Sequence, residues 1–167
     1  SLAQLAYEMR KTALEMSYNC GEPTHLGGAL SIIDVMAVLY GKILKKDNRF
    51  ILSKGHGVLA LFSALFCTGK LSKKDIITFQ KNGSKYIAHP IMNTKVGIES
   101  SNGSLGQGLS MGVGIALSYK KRNKKGKVYV LVGDGECYEG SIWEAVISAE
   151  EFNLDNLVVI VDCNGFQ

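Results

Sequence analysis

The sequence has few of the features that mark membrane, linker or repeat segments. It contains only two prolines and one tryptophan among 167 residues. No apolar stretch approaches the roughly 20 residues that a membrane-spanning helix requires, so we expect no membrane insertion. There is no internal repeat and no low-complexity linker. Because 46% of the residues are hydrophobic, we expect one globular domain with a substantial core over residues 1–167.

Charge of one sign is also scarce. The chain has 19 Lys and Arg against 15 Asp and Glu, a formal net charge of +4. This excess suits an anionic small ligand but does not demand nucleic acid. The one dense basic run, residues 120–127, has no interleaved aromatic residues and lies between a helix-like and a strand-like segment. We therefore predict a solvated turn there and no nucleic-acid partner.

The cysteines form no C-x-x-C pair. The four of them are Cys20, Cys67, Cys137 and Cys163. Nothing at the start resembles a secretory signal, so we expect free thiols in a reducing cytoplasm.

Hydrophobic periodicity predicts several helices in the first hundred residues. Apolar residues recur near the helical period from Leu2 to Met16, which indicates an amphipathic helix ending before Gly21. Glycines then dominate up to Gly28. Further helices are predicted at residues 31–40 and 57–66, and another begins at Ser72, where Asp75 completes a capping box. We expect this region to be mostly helix and loop.

The remainder indicates an α/β fold with a parallel sheet flanked by helices. Residues 98–108 read as a loop and residues 109–119 as a closely packed helix. Residues 127–132 and 157–161 are short, apolar and β-branched, as expected of strands buried on both faces. Residues 141–152 form a helix between them, with Trp143 in its packed face. Strand, helix and strand imply a right-handed parallel crossover.

Polar residues follow both predicted strands. Asp134 follows the first strand between two glycines, and Asp162 and Asn164 follow the second. Ligands of open parallel sheets bind at the carboxyl ends of the strands, so these groups should converge on one site. Carboxylate and amide oxygens suit Mg²⁺ or Ca²⁺, and glycine lets the backbone approach a ligand closely. Taken alone, a Gly-Asp-Gly segment is also an ordinary strand-to-helix turn.

The spacing of these residues resembles the thiamine diphosphate motif. Gly133-Asp134-Gly135 is followed by 28 residues and then Asn164. Other motifs occur in the order found in transketolases, namely His25-Leu26-Gly27-Gly28, Ser53-Lys54-Gly55-His56, Ala88-His89-Pro90, Gly97-Ile98-Glu99 and Gly103-Ser104-Leu105-Gly106-Gln107-Gly108. The chain therefore resembles the transketolase family over nearly its whole length.

The resemblance implies a cofactor and metal site. Asp134, the side chain of Asn164 and the backbone carbonyl of Phe166 would bind Mg²⁺ or Ca²⁺, with Gly135 against the cofactor diphosphate. This suits magnesium, which takes few protein carboxylates and bridges phosphate oxygens. The residues that would contact thiamine diphosphate are His56, Gly103, Ser104, Leu105, Gly135, Glu139 and Asn164. Glu139 could equally stabilise the positive end of a helix.

The resemblance also assigns the three histidines to the reaction. His25 and His89 would face the reacting carbons of a sugar, and His56 would line the cofactor, each able to shuttle protons or bind hydroxyls. The residues before His25, Gly21-Glu22-Pro23-Thr24, depart from the family's Ser-Gly-His. A zinc site made by these three histidines is an alternative.

Transketolase-like enzymes move a two-carbon ketol unit from a ketose, often phosphorylated, to an aldose, with the cofactor as electron sink. The family's glutamate that contacts the aminopyrimidine ring belongs to a later domain that these residues do not contain. The resemblance thus implies a diphosphate-binding domain incomplete at its C-terminus. Its partner would be a C-terminal transketolase subunit with the pyrimidine-binding domain, in a dimer of the pair that forms a cytoplasmic heterotetramer. Without it, the chain should expose an apolar interface.

Two other functions remain open at this point. One is a non-catalytic or regulatory homologue that keeps the cofactor-binding fold. The other is a different thiamine diphosphate enzyme, such as a deoxyxylulose-phosphate synthase, which shares the Gly-Asp-Gly element. The segments at residues 53–56 and 103–108 favour transketolase.

Overall fold

The computed structural model describes residues 1–165. Its contacts divide the chain into two compact units. The first unit consists of Ser1–Leu44 and Gly55–Ser101, and the second of Lys45–Lys54 and the chain from Asn102 onward. The expectation of one domain over residues 1–167 stays a prediction.

The first unit begins with the predicted amphipathic helix, α1 (Leu2–Cys20). Ser1 caps it by accepting a hydrogen bond from the Gln4 amide, which satisfies one of the unpaired donors of the first turn. The helix ends at Gly21, whose φ of 75° lies in the left-handed region where glycine has no steric penalty. The buried residues of α1 are Ala6, Met9, Thr12, Ala13 and Met16, which share one helical face.

Four further helices complete the first unit. They are α2 (Leu26–Leu30), α3 (Ile33–Val38), α4 (Val58–Cys67) and α5 (Lys73–Ile76). Every residue of α4 from Val58 to Leu65 is buried, and α4 contacts α1, α2, α3 and α5. The predicted capping box between Ser72 and Asp75 is present at the start of α5.

The glycine-rich segment and the next helix differ from the prediction. Leu26–Leu30 is helical rather than a loop. The helix expected over residues 31–40 starts at Ile33 and continues into a π-helical turn, Leu39–Ile43. A cause lies in the packing of Gly41, where a Cβ would lie 2.8 Å from the side chains of Leu2 and Leu5 in α1. This close approach accompanies the wider turn.

The second unit is a parallel three-stranded sheet with two long helices. The strands β1 (Arg49–Leu52), β2 (Val128–Gly133) and β3 (Leu157–Asp162) lie in the order β1-β2-β3. The helices are α6 (Gln107–Lys121) and α7 (Gly140–Glu151). The core is formed by Ile51, Leu109, Val113, Ala116, Val128, Val130, Val132, Ile142, Ala145 and Leu154. The predicted parallel sheet flanked by helices is therefore confirmed.

The sheet also corrects two predictions. Strand β1 was not predicted, because its four residues are too few for a periodic pattern and lie in a region assigned to helix and loop. The prediction that residues 157–161 are buried on both faces was wrong. Val159 and Val161 are exposed, because β3 is an edge strand within the described part of the chain.

Smaller expectations are met. The basic run forms the end of α6 and the turn before β2, where Lys120 donates to the Phe152 and Asn153 carbonyls after α7. All four cysteines lie within the described residues and none forms a disulfide. Across residues 1–165, no helix combines the length and apolar character needed to span a membrane.

Candidate active site

The carboxyl ends of β2 and β3 meet around Asp134, as predicted. The Asp134 amide donates to the Asp162 carbonyl at 3.1 Å. Its carboxylate accepts from the Gly135 amide at 3.1 Å and from the Gly165 amide at 2.9 Å. Gly165 has a φ of 73°, so glycine is needed to turn its amide in this conformation. Asp134 therefore holds together the turns that follow two neighbouring strands.

Asn164 lies in the same place, directly before Gly165. Its side-chain nitrogen donates to Asp162 Oδ2 at 3.1 Å. The predicted metal ligands Asp134 and Asn164 are thus linked through Asp162 and Gly165. Phe166, whose carbonyl was the third predicted ligand, lies outside the described residues.

A buried glutamate supports this site from below. Glu136 is only 2% exposed. Its Oε1 accepts from the Ser53 hydroxyl and from the Gly106 amide at 2.8 Å, and its Oε2 accepts from the Gly133 amide at 3.1 Å. A buried carboxylate must be paired in this way to offset its desolvation. Glu136 therefore fixes the end of β1, the start of α6 and the end of β2 to one another.

Strand β1 supplies a second buried group. Lys54 follows this strand, and its ammonium pairs with Asp162 Oδ2 at 2.5 Å. The side chains are 1% and 14% exposed, so both charges are largely removed from water and depend on each other.

The charges near Asp134 favour a bound cation. In the described residues, the hydrogen bonds that Asp134 and Glu136 accept come from backbone amides and one hydroxyl, all of them neutral. The ammonium of Lys54 pairs with a third carboxylate, Asp162. Negative charge therefore collects at the strand ends, and hard oxygen ligands are what Mg²⁺ and Ca²⁺ prefer.

An open cleft of about 640 Å³ adjoins Asp134. It is lined by Asp134, Gly135, Cys137, Tyr138, Trp143 and Gly165. The prediction that Trp143 packs in the core was wrong, since its side chain is 59% exposed and its indole N–H donates to the Cys137 carbonyl at 2.9 Å. The chain's one tryptophan thus flanks the candidate site.

The glycine-rich segment before α6 lies in the same unit. Gly103 and Ser104 are exposed, and Leu105 is partly exposed, ahead of the helix start. Gly106 follows, and its amide is the one held by Glu136. Its carbonyl accepts from the Ser141 hydroxyl at 3.0 Å, which ties the segment to the beginning of α7.

Glu139 occupies the N-cap position of α7. Within the described residues, its side chain makes no capping hydrogen bond to that helix. Its Cβ instead lies 2.8 Å from the position that a Cβ on Gly106 would take. Packing against Gly106 therefore places Glu139 beside the glycine-rich segment, although a weaker effect on the helix dipole is compatible with this position.

Replacing Gly106 with alanine tests this close packing. Gly106 has a φ of 83°, and an added Cβ would lie 2.4 Å from Ser141 Oγ. We expect Gly106→Ala to lower the free energy of unfolding by about 2 kcal/mol or more, from strain and overpacking. Denaturant unfolding measures it. The matched control is Gly114→Ala, in the interior of α6 with open space around it, which should stabilise by about 0.5–1 kcal/mol. Equal effects of the two changes would contradict the packing described.

The three histidines come together in the first unit. The ring centroid of His25 lies 5.7 Å from that of His56 and 6.2 Å from that of His89. His25 is exposed at the start of α2, whereas His56 lies in the 3₁₀ turn Gly55–Gly57 and is partly buried. A Cβ on Gly28 would lie 2.7 Å from His56 Cδ2, so glycine is required for the ring to pack there.

This cluster suits hydroxyl binding better than metal binding. Imidazoles can donate or accept hydrogen bonds and transfer protons near neutral pH. Throughout residues 1–165, no three histidine, cysteine, aspartate or glutamate residues are arranged to hold a metal ion. The zinc alternative is therefore not supported by the described part of the chain.

Sequence reasoning missed the supporting residues Ser53, Lys54 and Glu136. Their partners are 83 residues away for Ser53 and 108 for Lys54. The signal that could have identified them is the apolar run at residues 49–52, followed at once by Ser53 and Lys54. This is the same arrangement of strand and polar end that revealed Asp134.

Comparison with known proteins identifies similar chains. The family model described as "Transketolase, thiamine diphosphate binding domain" matches residues 5–167. One of the two subunits named for the apulose-4-phosphate transketolase of Phocaeicola vulgatus is 41% identical over 95% of this chain. The 6-deoxy-6-sulfo-D-fructose transketolase subunit of a Clostridium species is 38% identical over 99% of it. The chain spans 59% and 63% of the lengths of these two relatives.

Solved structures give the same result. The transketolase of Campylobacter jejuni superposes on 99% of this chain with a TM-score of 0.90 at 30% identity. The matched region is 28% of that enzyme.

Proposed function

Because the chain belongs to the transketolase thiamine diphosphate-binding family, we propose that it is the diphosphate- and metal-binding part of an enzyme that transfers two-carbon ketol units. The observation that carries this proposal is the Asp134 carboxylate, which lies at the ends of two parallel strands and lines an open cleft. Open parallel sheets bind their ligands at this edge.

The metal in this proposal is Mg²⁺ or Ca²⁺. Asp134, the amide oxygen of Asn164 and the backbone carbonyl of Phe166 would be its protein ligands. The neutral hydrogen-bond donors around Asp134 support a cation there, because they leave the carboxylate charge uncompensated. Diphosphate oxygens would complete the coordination, as magnesium sites usually require.

Backbone groups would hold the diphosphate itself. Gly135 lines the cleft beside Asp134, and the exposed segment Gly103-Ser104-Leu105 precedes the start of α6. Glycine leaves amides accessible to phosphate oxygens, and a helix start favours negative charge. Glu139, packed beside Gly106, is proposed to lie near the cofactor.

The histidines are proposed to act on the sugar. When bound, thiamine diphosphate supplies the electron sink for breaking and forming the carbon–carbon bond. His25 and His89 would bind sugar hydroxyls and move protons during this exchange, and His56 would contact the cofactor. Their ring separations of 5.7 and 6.2 Å from His25 are short enough for one small ligand to contact more than one of them. The donor would be a ketose phosphate and the acceptor an aldose.

A companion subunit is part of the proposal. The relatives from Phocaeicola vulgatus and Actinobacillus succinogenes are each named as one subunit of an apulose-4-phosphate transketolase. A C-terminal subunit with the pyrimidine-binding domain would supply the missing glutamate, in a cytoplasmic dimer of the two-subunit pair. Support comes from the apolar side chains that α7 and its preceding turn expose, among them Tyr138, Trp143 and Ile147.

A titration followed by Trp143 fluorescence tests the proposed function. Thiamine diphosphate is added with Mg²⁺ or with EDTA, in the presence and absence of the companion subunit encoded beside this chain. Two-carbon transfer from a ketose phosphate is assayed in the same samples. We expect saturable binding that needs Mg²⁺, and turnover only with the companion. Turnover by the chain alone, or no cofactor binding in any sample, would overturn the proposal.

Cysteine labelling gives a further prediction. Cys163 is exposed and directly precedes Asn164, whereas burial, followed by the nearby Glu136 charge, raises the pKa of the Cys137 thiol. Iodoacetamide should therefore label Cys163 before Cys137, since the thiolate is the reactive form. Mg²⁺ with thiamine diphosphate should slow labelling of Cys163, as measured by mass spectrometry of peptides. Cys20 is the internal control, because it lies in the other unit. Unchanged Cys163 labelling alongside saturable cofactor binding would contradict the location of the site.

A further inference from the structure

Lys54 and Asn164 share one acceptor, although they follow different strands. Lys54 Nζ and Asn164 Nδ2 both approach Asp162 Oδ2, at 2.5 and 3.1 Å. Lys54 comes after β1, and Asp162 is the last residue of β3. A buried lysine therefore holds the carboxylate to which the Asn164 amide is hydrogen-bonded.

The hydrogen bond determines which way the Asn164 amide faces. A primary amide is planar, with its oxygen and nitrogen on opposite sides of the same carbon, and its nitrogen can only donate. With Nδ2 directed at Asp162, Oδ1 is turned away from that carboxylate. The neighbouring Gly165 amide meanwhile donates to Asp134. The turn at Asn164 is thus fixed on one side by Asp162 and on the other by Asp134.

We infer that Lys54 and Asp162 are positioning residues for the metal site, which set the Asn164 amide so that its oxygen is presented as a ligand. The inference rests on the proposed function, because it concerns a ligand of the proposed metal. Lys54 fixes the carboxylate of Asp162, and Asp162 accepts from the amide nitrogen. Partners of this kind orient metal ligands and affect metal affinity without touching the ion.

A simple stabilising ion pair is the competing explanation, and the two differ in one respect. An ion pair needs both charges, whereas amide orientation needs only an acceptor at position 162. Two double variants separate these roles. Lys54→Met with Asp162→Asn removes the ion pair but keeps an amide oxygen as acceptor. Lys54→Met with Asp162→Leu removes the ion pair and the acceptor. Each loses one positive and one negative charge, so the net charge of the site is unchanged.

The measurement is Mn²⁺ binding to the full chain in the presence of thiamine diphosphate, followed by electron paramagnetic resonance. The asparagine variant should bind Mn²⁺ with an affinity close to that of the unsubstituted protein. The leucine variant should bind about 10-fold more weakly or worse, as expected when a partner of a metal ligand is lost. Thermal unfolding of all proteins shows whether they are folded, and Asp162→Ala with Lys54→Met replaces the leucine variant if it is not.

The outcomes distinguish this inference from the proposed function. Equal Mn²⁺ affinities of the two double variants would overturn the positioning role, whether both match the unsubstituted protein or both are weakened. If the unsubstituted protein binds no Mn²⁺ with thiamine diphosphate, the metal assignment itself fails. Asn164→Ala sets the scale, since the acceptor-free variants should approach its affinity and not fall below it.

Discussion

Asp134→Asn should lower the affinity for thiamine diphosphate in the presence of Mg²⁺ by at least about 100-fold, the upper range seen when even a partner of a metal ligand is lost. The change removes a negative charge from the proposed ligand. It also replaces one carboxylate oxygen by an NH₂ group, which would face a backbone amide of Gly135 or Gly165, both of them donors. Isothermal titration calorimetry measures the cofactor affinity with Mg²⁺ at saturation.

Asp155→Asn is the matched control for this change. Asp155 is exposed, belongs to the same unit and precedes β3, at the opposite end of that strand from Asp162. Its replacement should leave cofactor affinity unaltered. The assignment of Asp134 is contradicted if both variants bind thiamine diphosphate equally well, provided that circular dichroism shows both folded.

His25→Ala should lower kcat for ketol transfer by about 100-fold, the lower range for loss of an acid–base group. His25 is the histidine whose ring lies near both others, so its removal opens the centre of the cluster. Cofactor affinity should change little, because we propose that His56, and not His25, contacts the cofactor. Steady-state kinetics in the presence of the companion measure kcat, and the fluorescence titration measures cofactor affinity.

Tyr18→Ala serves as the control for His25. Tyr18 is an exposed aromatic residue in α1 of the same unit, and its loss should alter neither kcat nor cofactor binding. A His25→Ala protein with the kcat of the unsubstituted protein would remove this residue from the proposed reaction. A large loss of cofactor affinity would instead assign His25 to the cofactor.

Local chemistry made much of the fold and site predictable. The end of α1 at Gly21, the Ser72 capping box and strand β2 each depend on residues close in sequence. Asp134 and Asn164 were predicted to converge because parallel neighbours bring their carboxyl ends together, and Gly133 indeed pairs with Asp162. The positions of the histidines came from ordered motifs, which the periodicity of the chain does not contain.

What the sequence did not predict depends on distant partners. Glu136 and Lys54 look like surface residues of a turn, yet their donors and acceptors come from other strands. Burial was also misjudged for Trp143 and for β3, because periodicity shows which face of an element is apolar but not whether anything covers it. Both errors concern the apolar surface that we propose a companion subunit covers.

Anomalous diffraction from crystals grown with Mn²⁺ and thiamine diphosphate tests the central claim most directly. The account predicts one Mn²⁺ peak about 2.1 Å from the Asp134 carboxylate and the Asn164 amide oxygen, with the cofactor diphosphate bridged to it. A peak at the histidine cluster, or bound thiamine diphosphate without Mn²⁺ at Asp134, would contradict it.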